Sequence, residues 1–411
     1  MKIPSKITNF LVYSIGQSIN LLSPLIVMPH LMRICNEDGF GKIGIAFSIC
    51  LILCCIVDYS SYLNGTKEIV INKRNILYIN QRIGDIYSYK MIIFLTFLGF
   101  LFIGILLFPN FYEKKLLFLS LPIVISQLVN PNWFLQGLEK FKQIAFLNII
   151  SKIIYIACIF YFIKTKEDYV WANFFLGISG IIVYTFYIFF YIKKYKLRFK
   201  LSNISNGIKI LKTDYSICLS EFCLSLYQYF PILIVGYFTG PSTAGLYRVI
   251  EQIFSVFRTF TFMFFNFSYP TVCYDIEKNL KKGLKVWKLY HLVNFTFISI
   301  GVVSVFFAKD FIFNYFHIAL EDRNLLFDIL KIALIVPLLL VISQAFRQLM
   351  FALNLTRMYT YIIYLTCSMS IILLGILVHH FGLKGAFISM IFIEIIVITL
   401  YSTNILKKLK A

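Results

Sequence analysis

Apolar runs long enough to cross a bilayer follow one another along almost the whole chain, parted by short polar stretches. A spanning helix needs about 20 predominantly apolar residues. Runs of that order occupy 7–32, 40–60, 91–109, 116–136, 144–163, 169–192, 214–238, 245–268, 289–308, 326–350, 358–379 and 383–406. Within lipid only helices and closed barrels satisfy the backbone. Barrel strands alternate apolar and polar positions over about 10 residues, whereas these runs are continuously apolar. They predict an all-α polytopic membrane protein with about twelve transmembrane helices. The opening stretch Met1–Lys6 resembles the start of a secretory signal, but the apolar run behind it continues to about Met32 and is read as an uncleaved first span.

Composition narrows the function classes. The chain has 411 residues, of which 59% are hydrophobic and 14% charged, against about 25% charged in soluble domains. Almost nothing is left for a soluble catalytic domain. Lysine and arginine number 39 against 19 acidic residues, a net charge of +20. That surplus sits in the polar stretches, where it sets orientation and attracts anionic membrane lipids, so nucleic acid is excluded as a partner. With a cytoplasmic N-terminus the basic residues fall overwhelmingly on one side, in groups such as Lys278, Lys281, Lys282, Lys285 and Lys288. Both termini are therefore expected in the cytoplasm. The nine cysteines and five histidines show no metal-ligand spacing, and no metal or cofactor is expected.

The longest basic stretch, Lys193 to Lys212, divides the chain into an N-terminal six-helix half (1–192), a cytoplasmic linker (193–213) and a C-terminal six-helix half (214–411). A short echo relates the halves. Pro24 in the first span and Phe40-Gly41-Lys42-Ile43 opening the second match Pro231 in the seventh and Ala244-Gly245-Leu246-Tyr247 opening the eighth. A parallel repeat of this kind builds transporters with a central substrate cavity between the halves.

Three stretches resemble the flippase branch of the polysaccharide-transporter family, within the multidrug/oligosaccharidyl-lipid/polysaccharide superfamily. Asp58-Tyr59-Ser60 followed by Thr66-Lys67-Glu68-Ile69 is similar to the Asp-Phe-Gly-Phe and Thr-Arg-Glu-Ile of O-antigen flippases, with Ser60 in place of the usual glycine. Pro131-Asn132-Trp133-Phe134-Leu135-Gln136-Gly137-Leu138-Glu139 resembles the family's Pro-x-Trp-x-x-Gln-Gly-x-Glu segment and is the most specific of the three. Gly245-Leu246-Tyr247 is the weakest. The resemblance implies transfer of an undecaprenyl-pyrophosphate-linked oligosaccharide, an O-antigen or related lipopolysaccharide precursor, from the cytoplasmic to the periplasmic leaflet of the bacterial inner membrane. It implies a cavity lined by the first, second, seventh and eighth spans, and other polysaccharide-assembly proteins as partners.

Charges within spans are costly and mark function by default. On span eight Arg248, Glu251, Ser255 and Arg258 share one helical face. Guanidinium meets phosphate oxygens in bidentate fashion, which makes Arg258 and Arg248 the leading substrate ligands. Lys152, Arg347 and Arg33 complete the candidate cationic set. Glu251 is a candidate counter-ion for either arginine or a proton carrier. Glu221 and Glu394 are candidate carriers of a coupling ion, H+ or Na+, although the resemblance places the twelfth span at the periphery. Pro24 and Pro29 predict a kink or hinge in the first span. Asp58, a gating candidate, is expected to pair with Lys67 or Arg74.

An enzyme, such as a membrane polysaccharide polymerase, is disfavoured because the longest outer stretch, Lys309 to Leu325, is too short for a glycan-processing domain. A drug or metabolite antiporter of the same superfamily is disfavoured by the Trp133-Gln136-Gly137-Glu139 segment.

Overall fold

A chain with this much uninterrupted apolar sequence has one way to satisfy its backbone in lipid, and it takes it. The computed structural model describes residues 5–72, 75–107, 113–195 and 204–410, and among these it is helical with no strand. Arg74 and residues 196–203 of the expected linker lie outside the described residues, as does the side chain of Gln17.

Eight helical stretches among the described residues are long and apolar enough to cross a membrane. Two of them, Ser18–Asp58 and Thr356–Leu409, each cover two predicted spans and are broken at one residue outside helical geometry, Asn36 (φ 56) and Gly382 (φ 56). Left-handed backbone is cheap for glycine and tolerated by asparagine, so both turns fall where the residue type permits. The predicted third and eighth spans lie on the helices Ile76–Leu107 and Pro241–Lys278, which are not among the eight. The eight do not by themselves fix the count at twelve. Pro24 and Pro29 lie inside the helix of the first span, and the one residue outside helical geometry, Asn36, lies in the turn that follows.

The chain divides into two compact units. One comprises Met1–Cys35 with Lys42–Ser225, the other Asn36–Gly41 with Leu226–Ala411. The core of the first gathers Ile69, Ile83, Ile86, Tyr89, Trp133, Phe134, Leu135 and Ile144. Its counterpart in the second is built on Val272, Ile276, Leu349, Met350, Tyr359, Ile362 and Tyr401. In both, large side chains are buried against neighbouring helices while others, such as Phe186, Phe189, Leu292 and Phe307, stay exposed on the outside, as lipid-facing positions do.

The six residues 36–41 carry the turn between the first two predicted spans, yet they group with the second unit. A Cβ on Gly41 would lie 1.8 Å from the carbonyl oxygen of Pro241, and one on Gly245 would lie 2.3 Å from that of Glu37. The two glycines of the sequence echo are thus in direct backbone contact.

Candidate functional site

The helix Pro241–Lys278 starts with proline at its first turn, where the missing N–H costs nothing. It then presents its charged stripe to the interior of the second unit. Arg248 and Glu251 are 8% and 5% exposed. Arg248 Nη1 donates to Glu251 Oε2 at 2.6 Å, and Arg258 Nη1 approaches Glu251 Oε1 at 3.5 Å. One carboxylate therefore stands between two guanidiniums, leaving the group net positive. The Arg258 side chain is 31% exposed, so it is the accessible cation of the three. Ser255, on the same face, turns its hydroxyl back to the Gln252 carbonyl.

Next to this stripe is a second polar cluster. Tyr227 donates its hydroxyl to Glu394 Oε1 at 2.7 Å; Ser343 lies beside the same carboxyl, which also feels the charge of Arg258, but its hydroxyl donates to the Leu340 carbonyl at 3.0 Å. Glu394 is 4% exposed, on a helix face that packs against Tyr227, whose hydroxyl gives the buried carboxyl a partner. The Oε2 of Glu394 and the hydroxyl of Tyr247 are buried without a hydrogen-bonding partner among the described residues. Arg347 takes a different environment. It is stacked among Phe265, Phe351 and Tyr359, with its guanidinium carbon 5.7, 5.7 and 5.3 Å from the ring centroids, and donates to Gln344 at 3.2 Å. Cation–π contacts with three rings hold this arginine in place.

In the first unit the two sequence motifs pack onto each other. Lys90 Nζ donates to Asp58 Oδ1 at 2.7 Å, with the lysine side chain fully buried. Of the two expected partners, Lys67 is exposed, and Arg74 lies outside the described residues. Lys90 precedes the apolar run at 91–109 directly, so its helix carries it inward to Asp58 while Lys67 sits on the outer side of a short helix. Ser61 donates to Asp58 at 2.6 Å, Ser60 to Asp214 at 2.5 Å, and the Tyr59 hydroxyl to the Leu211 carbonyl at 2.5 Å. The residues around Ser60 form one turn of π-helix, Ser61–Gly65. Glu68 accepts from Arg82 and from the Tyr78 hydroxyl at 3.1 Å. Burial and that carboxylate push the Tyr78 phenol above its ordinary pKa. Thr66 donates to the Trp133 carbonyl at 2.9 Å. A Cβ on Gly137 would meet Ile69 at 2.7 Å and the Thr66 carbonyl at 3.0 Å, so the glycine is what lets the second motif approach the first. Trp133 is 1% exposed, Gln136 is half-buried, and Glu139 is exposed with φ 58.

The remaining candidates are scattered. Lys152, on the helix Phe141–Phe162, has no hydrogen bond or ion pair among the described residues; its ammonium lies over the Tyr155 ring, 5.9 Å from the centroid. Glu221 lies near Cys55 and Cys218. Arg33 is exposed, while Pro24 is half-buried and Pro29 buried. Sequence reasoning missed Lys90, Asp214, Tyr227 and Ser343. Only Lys90 carried a signal, its place at the edge of an apolar run; the others are ordinary residues until the fold brings them to a charge.

Comparison with known proteins follows the same lines. The family described as "Polysaccharide biosynthesis protein" matches residues 7–273. A protein of Escherichia coli (strain K12) named "Putative O-antigen transporter" is 22% identical over 277 residues, 67% of each chain. Among solved structures, an inward-facing multidrug resistance MATE family transporter of the MOP superfamily superposes with a TM-score of 0.72 at 13% identity, over 97% of this chain and 99% of that one. The lipid II flippase MurJ, in an inward closed conformation, gives a TM-score of 0.74 at 16% identity, over 96% of this chain and 87% of that one. The fold is that of these transporters.

Proposed function

Because the chain belongs to the polysaccharide biosynthesis protein family, we propose that it is a multi-pass flippase of the bacterial inner membrane, with both termini cytoplasmic. Its cargo on this reading is an undecaprenyl-pyrophosphate-linked O-antigen, or a related surface-polysaccharide repeat unit, carried from the cytoplasmic to the periplasmic leaflet by alternating access. The transporter relatives support a carrier rather than an enzyme.

The observation that carries the reading is the stripe of Arg248, Glu251 and Arg258. A diphosphate must shed water to cross a bilayer, and fixed guanidiniums replace its hydration with bidentate hydrogen bonds. In the unloaded protein Glu251 balances one of the two positive charges and bridges both arginines. Arrival of the diphosphate at Arg258, the exposed end of the stripe, competes with that carboxylate, and a proton taken up by Glu251 or Glu394 compensates the displaced charge. Lys152 serves as a second cation along the path. The polyprenyl tail stays in lipid while the sugar passes through water. A drug antiporter shares the fold, but two arginines against one carboxylate disfavour the organic cations that such carriers export.

The test is the location of lipid-linked repeat units in a strain lacking this protein. The reading predicts their build-up in the cytoplasmic leaflet. No build-up argues for an antiporter, and single repeats displayed outside argue for a polymerase.

A further inference from the structure

Away from the charged stripe, the helices Leu280–Phe307 and Ile335–Ala352 bound a groove of about 280 Å³ within the second unit. It is lined by Trp287, Lys288, His291, Leu292, Phe295, Val341, Ile342, Ala345 and Phe346. We infer that this groove is a binding site for an anionic phospholipid, which lays an acyl chain along Leu292, Phe295 and Ile342 and its phosphate headgroup against Lys281, Lys285 and Lys288.

The register of one helix supports this. Lys281, Lys285, Lys288, Leu292 and Phe295 follow at steps of three and four, so they lie on one helical face. Along that face three exposed lysines lead directly into the apolar groove. A charged band continuous with a greasy slot is the footprint of an amphiphile, with head and tail in one order. Neither of the two helices carries an aspartate or glutamate, so the lysine face complements an anion.

The lysines also sit where a helix least favours them. They occupy the first three turns of Leu280–Phe307, and the helix macrodipole makes its N-terminus electropositive. A phosphate there relieves lysine–lysine and lysine–dipole repulsion together. At the floor of the groove, His291 is 8% exposed. Its Nε2 pairs with Gln348 Oε1 at 2.8 Å, and Gln348 in turn donates its amide nitrogen to Ser268 and to the Phe265 carbonyl. That network makes Nε2 the donor, so the imidazole is anchored by one nitrogen. Its Nδ1 is buried with no hydrogen-bonding partner among the described residues, so the groove floor offers a lipid an apolar surface. The Trp287 indole, fixed by donation to the Ala345 carbonyl at 3.1 Å, holds one wall in place.

This site stands apart from the flippase reading and holds whatever the cargo is. It is tested with the purified full-length protein by native mass spectrometry, adding phosphatidylglycerol, phosphatidylcholine or undecaprenyl phosphate as separate probes. Phosphatidylglycerol should be retained in preference to phosphatidylcholine, and each of Lys285→Ala and Lys288→Ala should cut that preference about fivefold. Ile342→Trp, which fills the slot without touching the charges, should lower retention of phosphatidylglycerol to the level of phosphatidylcholine. Equal retention of the two phospholipids, unchanged retention in the variants, or retention of undecaprenyl phosphate in place of phosphatidylglycerol would each overturn the assignment.

Discussion

Gly41 and Gly245 meet backbone to backbone: a Cβ added to Gly41 would stand 2.8 Å from the Gly245 amide nitrogen, and one added to Gly245 would stand 3.3 Å from that of Gly41. No side chain fits between them. Overpacking of this kind costs about 1–3 kcal/mol or forces the neighbours apart. Gly245→Leu should therefore displace residues 36–41 and expose Cys35, which is fully buried beside them. In a background where the other cysteines are serine, maleimide labelling of Cys35 should rise from near zero, with Gly245→Ala intermediate. Unchanged labelling in both variants would show that the turn is not held by this contact.

Arg258→Ala should abolish surface O-polysaccharide while leaving the amount of membrane protein normal, because Arg258 is the partly exposed member of its stripe. Arg258→Lys keeps the charge and loses the planar fork, so display should recover only in part. Full recovery with lysine would mean that charge alone suffices and would contradict bidentate capture. The readout is immunoblotting of polysaccharide and protein from the same cells.

Asp58 and Lys90 make a prediction about stability rather than transport. Breaking a buried ion pair by removing one partner leaves the other uncompensated and costs about 3–5 kcal/mol. Lys90→Met should lower the thermal transition of the detergent-solubilised protein, since Lys90 is wholly buried against Asp58. Asp58→Asn combined with Lys90→Met should restore most of it. Additive losses in the double variant would show that the two side chains do not depend on each other.

Glu394 is held by Tyr227, so Glu394→Gln should fold and keep that contact while losing the ability to exchange a proton. If Glu394 carries the coupling ion, transport by this variant should no longer respond to an imposed pH gradient, and Tyr227→Phe should retain a reduced response. A normal response in Glu394→Gln would remove this residue from coupling.

How far the sequence could be read depended on the reach of each interaction. Helices were legible because lipid leaves the backbone no alternative. The stripe of Arg248, Glu251 and Arg258 was legible because its members lie on one helix, where spacing alone sets the face. Partnerships between helices were not. Asp58 looked towards Lys67 and Arg74, its neighbours in sequence, but the fold brought Lys90 from the next long helix. Glu394 showed no sign of its partner Tyr227, which arrives from another helix. Gly41 and Gly245 appeared as an echo in sequence, and nothing in their spacing said that they touch. The groove behind Lys288 was invisible for the same reason: four of its nine lining residues come from 341–346.

The central claim is that this chain moves a diphosphate-linked oligosaccharide across a bilayer by way of Arg258. It is tested most directly by reconstituting the purified protein into liposomes that carry a labelled undecaprenyl-pyrophosphate oligosaccharide. Transfer between leaflets is then followed with a membrane-impermeant glycosidase. The account predicts fast transfer with the wild-type protein and transfer at the level of empty liposomes with Arg258→Ala. Transfer unaffected by Arg258→Ala, or none from a wild-type protein shown to be folded, would contradict it.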